Sequence, residues 1–142
     1  MTHFVGVNWL AVLLAALGSM VLGMGWYSAL GKQWMNALGK TREDLMPDGK
    51  ASPMPFVVAA VCQLIMAYFL LLLTRTILDS SATDIQIWDA VMIGGHMWIG
   101  FIMTSMVLNH AYQGQKYTLT LIDGGYLLGV MIVQGVILGL LA

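Results

Sequence analysis

Four long runs of apolar residues fill most of this 142-residue chain, at residues 5–30, 55–78, 87–109 and 118–141. An α-helix needs ~20 residues to cross the hydrocarbon core of a bilayer, so each run is long enough to span it. Only 9% of the residues are charged, compared with about 25% in soluble domains. We therefore predict an all-α integral membrane protein, in which residues 1–142 form a single domain with four transmembrane helices.

The positions of the basic residues predict the orientation of this bundle, because cytoplasmic loops are enriched in lysine and arginine. The first and third loops carry Lys32, Lys40, Arg42, Lys50 and Lys116. The second loop instead carries Asp79, Asp84 and Asp89. We predict that loop 31–54 is cytoplasmic and that both termini lie outside. Within this loop, residues 33–38 are predicted to form a short helix on the membrane surface, and Thr41 to cap a second one.

Aromatic residues near the ends of the runs are predicted to anchor the helices, because amphipathic rings prefer the depth of the lipid headgroups. These anchors are Trp9 and Trp88 at the outer boundary and Trp26, Tyr27 and Trp34 at the inner one. Anchoring accounts for these residues without any ligand.

Polar side chains recur inside the apolar runs at a spacing that places them on shared helix faces. The pairs Asn8 and Ser19, Gln63 and Thr74, and Asp123 and Gln134 are each eleven residues apart, about three helical turns. Polar groups are costly in hydrocarbon and usually face the protein interior. We predict a polar interior that contains Gln63, His96, Asp123 and Gln134. The alternative is that such groups only form hydrogen bonds between helices.

Asp123 is the sharpest of these candidates, because a carboxylate within a membrane span needs donors, water or a cation. If the last two runs form an antiparallel hairpin, Asp123 falls near Thr104 and Ser105, whose hydroxyls can satisfy it. The functional alternative is a proton or cation site, and a contact between subunits is a third possibility.

His96 shares a predicted stripe with Gly100, Met103, Val107 and His110. The simplest interpretation is a neutral, hydrogen-bonded interior histidine. Haem ligation by His96 and His110 would require a homodimer, because His3 is the one other histidine. The chain contains no recognisable catalytic or metal-binding motif, so we predict no catalytic residue, cofactor or metal.

Small residues at intervals of four predict where helices pack closely, because packing drives helix association in lipid. They are Ala15, Ser19 and Gly23 in the first run and the pairs Gly125/Gly129 and Gly135/Gly139 in the fourth. The fourth run thus has two faces suited to packing. One face can serve a neighbouring subunit, or both can be used inside one four-helix bundle.

The segments Asn8-Trp9-Leu10-Ala11-Val12 and Trp26-Tyr27-Ser28 resemble the opening of a bacterial membrane family, the domain of unknown function 1761. The stretch Leu121-Ile122-Asp123-Gly124-Gly125-Tyr126 resembles the last hairpin of that family. The resemblance covers nearly the whole length and implies a four-span protein of the bacterial inner membrane. It implies no activity, and the family often has Asn where this chain has Asp123.

We predict a small non-enzymatic membrane protein that acts as a helix-packing subunit. Its expected partners are the lipid bilayer and either further copies of itself, in a homo-oligomer, or a larger membrane complex. The net charge of −1 argues against nucleic acid as a partner. The alternative function is a small oligomeric channel or transporter that uses His96 and Asp123.

Overall fold

The chain forms five helices within residues 6–78 and 85–142, the part that the computed structural model describes. They are α1 (Trp9–Leu38), α2 (Arg42–Leu45), α3 (Met54–Ile77), α4 (Ile87–Tyr112) and α5 (Tyr117–Leu141). All but α2 are long and apolar enough to cross a membrane, so the predicted all-α fold with four such helices is confirmed. Three residues used in the predictions, His3, Asp79 and Asp84, lie outside the described residues.

The four long helices pack as an antiparallel bundle in which α5 lies between α1 and α4, and α3 packs against the same two helices. The start of α1 meets the end of α5, where Asn8 Nδ2 donates a hydrogen bond to the Leu141 carbonyl oxygen at 2.7 Å. It also meets the end of α3, where Arg75 Nη1 donates to the Gly6 carbonyl oxygen at 2.9 Å. We call this end of the bundle the terminal end. The opposite end, where α1 ends at Leu38 and α5 begins at Tyr117, is called the loop end.

Helix α1 is longer than predicted, because it runs without interruption from Trp9 to Leu38. The prediction of a separate surface helix at residues 33–38 was wrong, because these residues continue α1. Gly31 is tolerated within the helix, and the residues after it include good helix formers such as Lys32 and Gln33. The helix ends only at Gly39, whose φ of 72° is the left-handed conformation that glycine adopts readily.

The loop after α1 contains the short helix α2, and Thr41 caps it as predicted. The Thr41 hydroxyl accepts a hydrogen bond from the Asp44 backbone N–H, and Asp44 Oδ2 accepts one from the Thr41 backbone N–H at 2.8 Å. The bond from the Thr41 backbone, followed by the bond from its hydroxyl, lowers the pKa of Asp44 below its ordinary value of 3.8.

Helix α4 contains a π-helical segment, Trp98–Met103, between two α-helical segments. A π turn takes up more residues than an α turn, so it changes which side chains share a face. Residues at intervals of four consequently stay aligned across the segment. Trp98 and His110 turn toward the bundle, whereas His96, Gly100, Thr104 and Leu108 are exposed together. The predicted stripe with Met103 and His110 assumed a regular α-helix and was wrong.

The apolar core lies toward the terminal end, where small side chains let the helices approach closely. It is formed chiefly by Ala11, Ala15, Ala67, Leu71 and Leu138, each at most 1% exposed. Toward the loop end α3 separates from the bundle, since none of residues 53–62 is buried. The polar residues described next lie where this separation begins.

Candidate functional site

Asp123 is held between α5 and α1 by two donors that meet at one of its carboxylate oxygens. The Tyr27 hydroxyl donates to Asp123 Oδ1 at 2.7 Å, and Trp34 Nε1 donates to the same oxygen at 3.1 Å. We call these three residues the carboxylate site. The expectation that Thr104 and Ser105 satisfy Asp123 was wrong: the Thr104 hydroxyl donates to the Gly100 carbonyl oxygen of its own helix. The long α1 makes this possible, because Trp34 lies in the part of the helix that was predicted to be separate.

A second group of polar side chains continues from the carboxylate site toward the middle of the bundle. Gln63 Nε2 donates to the Tyr126 hydroxyl at 2.9 Å, and Gln134 Nε2 donates to Gln63 Oε1 at 3.0 Å and to the Gln63 carbonyl oxygen at 3.1 Å. We call these three residues the amide ladder. Gln134 is fully buried, and its Oε1 atom has no hydrogen-bond partner among the described residues.

The spacing of these residues along α5 explains why the two groups adjoin. Asp123 and Tyr126 are one turn apart, and Gln134 follows Asp123 by about three turns, so all three share one side of the helix. The Tyr27 and Tyr126 rings touch edge to face, with centroids 5.2 Å apart. Of the predicted polar interior, Asp123 and Gln134 therefore lie on one side of α5, and Gln63 of α3 packs against that side.

The fourth predicted member, His96, lies elsewhere. It is exposed on the outer face of α4, and its Nδ1 atom is 2.7 Å from the Met92 carbonyl oxygen. A backbone carbonyl can only accept a hydrogen bond, so Nδ1 carries the proton and Nε2 is left as an acceptor. The prediction of an interior histidine was wrong, because the outer side of α4 is not covered by the rest of the described chain. His96 and Asp123 consequently do not face a common interior within one chain.

The glycines of α5 pack against this chain's own helices. A Cβ atom added at Gly125 would lie 3.1 Å from the Trp26 ring, and one at Gly129 would lie 2.9 Å from Leu22. On the other face, Gly135 and Gly139 approach the backbone of α4 at Val91 and Ile87. Both faces are thus used inside one bundle, which was the alternative to a subunit contact. These glycines give no support to an oligomer.

The small residues of α1 also lie inside the bundle. Ala15 and Ser19 are fully buried, and the Ser19 hydroxyl donates to the Ala15 carbonyl oxygen at 3.0 Å. Gly23 leaves room for the Tyr126 hydroxyl, which would be 3.0 Å from a Cβ atom at that position. The small residue at 23 thus makes space for a member of the amide ladder.

The predicted aromatic anchors fall into two groups. Trp9 and Trp88 are exposed at the terminal end, and Trp9 stacks on Tyr68 with ring centroids 5.5 Å apart. Trp26, Tyr27 and Trp34 instead form hydrogen bonds with α5, with Trp26 Nε1 donating to the Ile122 carbonyl oxygen. The second group therefore joins two helices in addition to any role at the lipid interface.

Two participants were not predicted from the sequence. Tyr126 belongs to the amide ladder, and its position one turn after Asp123 was a signal that could have identified it. Trp98 Nε1 donates to the Gly124 carbonyl oxygen at 2.8 Å. No regular helical spacing indicates that contact, because Trp98 begins the π segment.

The chemistry available at the carboxylate site is that of an acceptor for protons, hydrogen bonds or cations. Tyrosine and tryptophan supply neutral donors and ring faces, and neither places a formal positive charge beside Asp123. Within residues 6–78 and 85–142, no three His, Cys, Asp or Glu residues are grouped so that they could hold a metal ion.

A family model described as "Protein of unknown function (DUF1761)" matches residues 10–139. The chain belongs to this family. The match includes nearly all of the four long helices and every residue of the carboxylate site and the amide ladder, and it confirms the resemblance noted in the sequence. No curated protein and no solved structure matches the chain.

Proposed function

We propose that this protein is a non-enzymatic helix-packing subunit of the bacterial inner membrane, and that it self-associates through the outer face of α4. The observation that carries the proposal is the exposure of His96 on that face. A histidine that faces lipid leaves an unsatisfied Nε2 acceptor in hydrocarbon, which is costly. A second helix covering the face would remove that cost.

The degree of burial distinguishes α4 from the other long helices. In the most apolar described stretch of α4, only 6% of the residues are buried within the chain. The corresponding stretches of the other three long helices are 22% to 33% buried. The outward faces of α1 and α3 carry mainly large apolar residues such as Leu17, Val21, Ile65 and Phe69, which suit lipid. On α4, the exposed residues His96, Gly100 and Thr104 are polar or small. We call these three residues and Leu108 the α4 stripe.

The α4 stripe fits a second copy of the same chain. Two copies with the same orientation in a membrane meet about a two-fold axis, so residues at equal depth face each other. A Cβ atom added at Gly100 would meet nothing within 4 Å, and two such glycines allow the helix backbones to approach closely. The Thr104 hydroxyl already donates to its own helix, so only its oxygen remains as an acceptor for the partner.

Cysteine cross-linking in native membranes tests the proposal. In a Cys62→Ser background, Gly100→Cys should form a disulfide-linked dimer on mild oxidation. The unmodified chain is the matched control, because its single cysteine, Cys62, is exposed on the outer face of α3. Cross-linking through position 100 and not through Cys62 would support the proposal.

Two other outcomes would contradict self-association through this face. A monomer that does not cross-link at position 100 would remove the proposed interface. Recovery of the protein only within a larger complex, with position 100 cross-linked to a different polypeptide, would make it an accessory subunit of that complex.

A further inference from the structure

Only one of the two carboxylate oxygens of Asp123 accepts hydrogen bonds from the described residues. Asp123 Oδ1 accepts both hydrogen bonds, from Tyr27 and Trp34, whereas Oδ2 has no donor among the described residues. Oδ2 is not fully buried, so it is open to the surroundings. No lysine, arginine or histidine of the described chain contacts this carboxylate. Lys116 lies just before the start of α5, and its Nζ donates to the Asn36 carbonyl oxygen at 3.0 Å.

Three aromatic rings lie in or beside the carboxylate site: Tyr27 and Trp34 point their O–H and N–H groups at Oδ1, and Tyr126 packs against Tyr27. Tyr27 lies edge to face with Trp34, with centroids 5.7 Å apart, and with Tyr126 at 5.2 Å. The face of an aromatic ring attracts a cation within about 6 Å of its centroid. Gln63 holds the Tyr126 hydroxyl and thereby limits where that ring can turn. A carboxylate among electron-rich rings favours a cation that is itself partly apolar.

The site lies where such a cation can reach it. Asp123 is six residues after Tyr117, the first residue of α5, which is about 9 Å along the helix. That distance places Asp123 near the boundary of the hydrocarbon core rather than at its centre. Since none of residues 53–62 of α3 is buried, α3 does not close over the loop end of the bundle beyond Gln63.

We propose that Asp123, with the rings of Tyr27, Trp34 and Tyr126, binds a substituted ammonium group. The carboxylate supplies the charge, and the rings supply cation–π attraction and apolar contact with the substituents. The ammonium group can belong to a soluble amine or to the headgroup of a lipid. This site is separate from the α4 stripe, so its existence does not depend on self-association.

Titration of the Trp34 indole N–H by NMR tests the proposal. The protein is prepared in maltoside micelles, which contain no ammonium group, and tetramethylammonium chloride is added against a matched titration with sodium chloride. We expect a saturable shift of the Trp34 indole signal with the ammonium salt alone. The Trp9 indole, stacked on Tyr68 at the opposite end, should not shift.

The variant Asp123→Asn separates charge from hydrogen bonding, because its amide oxygen can still accept from Tyr27 and Trp34. We expect it to bind tetramethylammonium at least about tenfold more weakly, since the charge is lost. Tyr126→Leu removes one of the rings and should also bind clearly more weakly than the parent. Equal binding by the parent and Asp123→Asn, or no saturable shift in the parent, would overturn the proposal.

Nanodiscs distinguish the two sources of the ammonium group. If the ligand is a lipid headgroup, the Trp34 signal in phosphatidylethanolamine should already be shifted relative to phosphatidylglycerol, and added tetramethylammonium should have a smaller effect. If the ligand is a soluble amine, the signal should be the same in both lipids until the salt is added. Dimer formation through position 100 is measured separately, so each proposal can fail without the other.

Discussion

Gly135 lies against the backbone of Val91, and a Cβ atom added to it would sit 2.9 Å from the Val91 nitrogen. A backbone cannot move aside as a flexible side chain can, so this contact fixes how closely α5 and α4 approach. The same two helices meet again at Gly139 and Ile87. The interface between α4 and α5 therefore depends on the absence of a side chain at two positions.

The variant Gly135→Ala should consequently destabilise the bundle, by about 1–3 kcal/mol, because the added methyl group forces α4 and α5 apart. Gly25→Ala is the matched control, since a Cβ atom at Gly25 meets nothing within 4 Å, and it should be neutral or slightly stabilising. Reversible denaturation in mixed micelles, followed by circular dichroism, measures both. Equal stability of the two variants would contradict the packing described here.

The variants of Asp123 should differ in stability according to whether they keep an acceptor. Asp123→Leu leaves the Tyr27 hydroxyl and the Trp34 indole N–H without their partner, which costs about 1–3 kcal/mol for each group that stays buried. Asp123→Asn should be markedly more stable than Asp123→Leu. The same denaturation measurement compares them, and a leucine variant as stable as the parent would show that the two hydrogen bonds contribute nothing.

Replacing Gln63 and replacing Gln134 by leucine should destabilise the protein to different extents. Replacing Gln63 by leucine removes its bond to Tyr126 and one acceptor of Gln134. Replacing Gln134 by leucine also removes the Oε1 atom that has no partner. We expect Gln63→Leu to be the more destabilising variant, with a difference of about 1 kcal/mol, a typical size for polar contacts between membrane helices. The opposite order would show that Gln134 Oε1 has a partner outside the described chain.

The capping of α2 should give a measurable dependence on pH. Because the folded pKa of Asp44 is lowered, its contribution to stability is present above its ordinary value of 3.8 and is lost as the pH falls through the lowered pKa. Thr41→Ala removes the hydroxyl partner and should raise the pKa of Asp44 toward 3.8. A carboxyl-carbon NMR titration of Asp44 in both proteins measures this. Identical Asp44 titrations in the two proteins would rule out the capping box.

The sequence predicted the fold class, the number of spanning helices and the side of α5 that carries Asp123 and Gln134. These follow from hydropathy and regular helical spacing, which are local properties. It did not predict the partners of Asp123, because Trp34 reaches the carboxylate only if α1 continues past residue 30. It also placed Met103 and His110 on the same face as His96, because nothing in Trp98–Met103 marks a π segment.

Because of the π segment, the number of residues in α4 determines which of its side chains face the bundle. Trp98 and His110 both meet α5 only while the number of residues between them is unchanged. Losing one residue from Trp98–Met103 would rotate everything that follows by about 100°, and His110 would turn away from Thr120, whose hydroxyl is now 2.8 Å from its Nδ1 atom. The number of residues in Trp98–Met103 is therefore part of what positions His110 against α5.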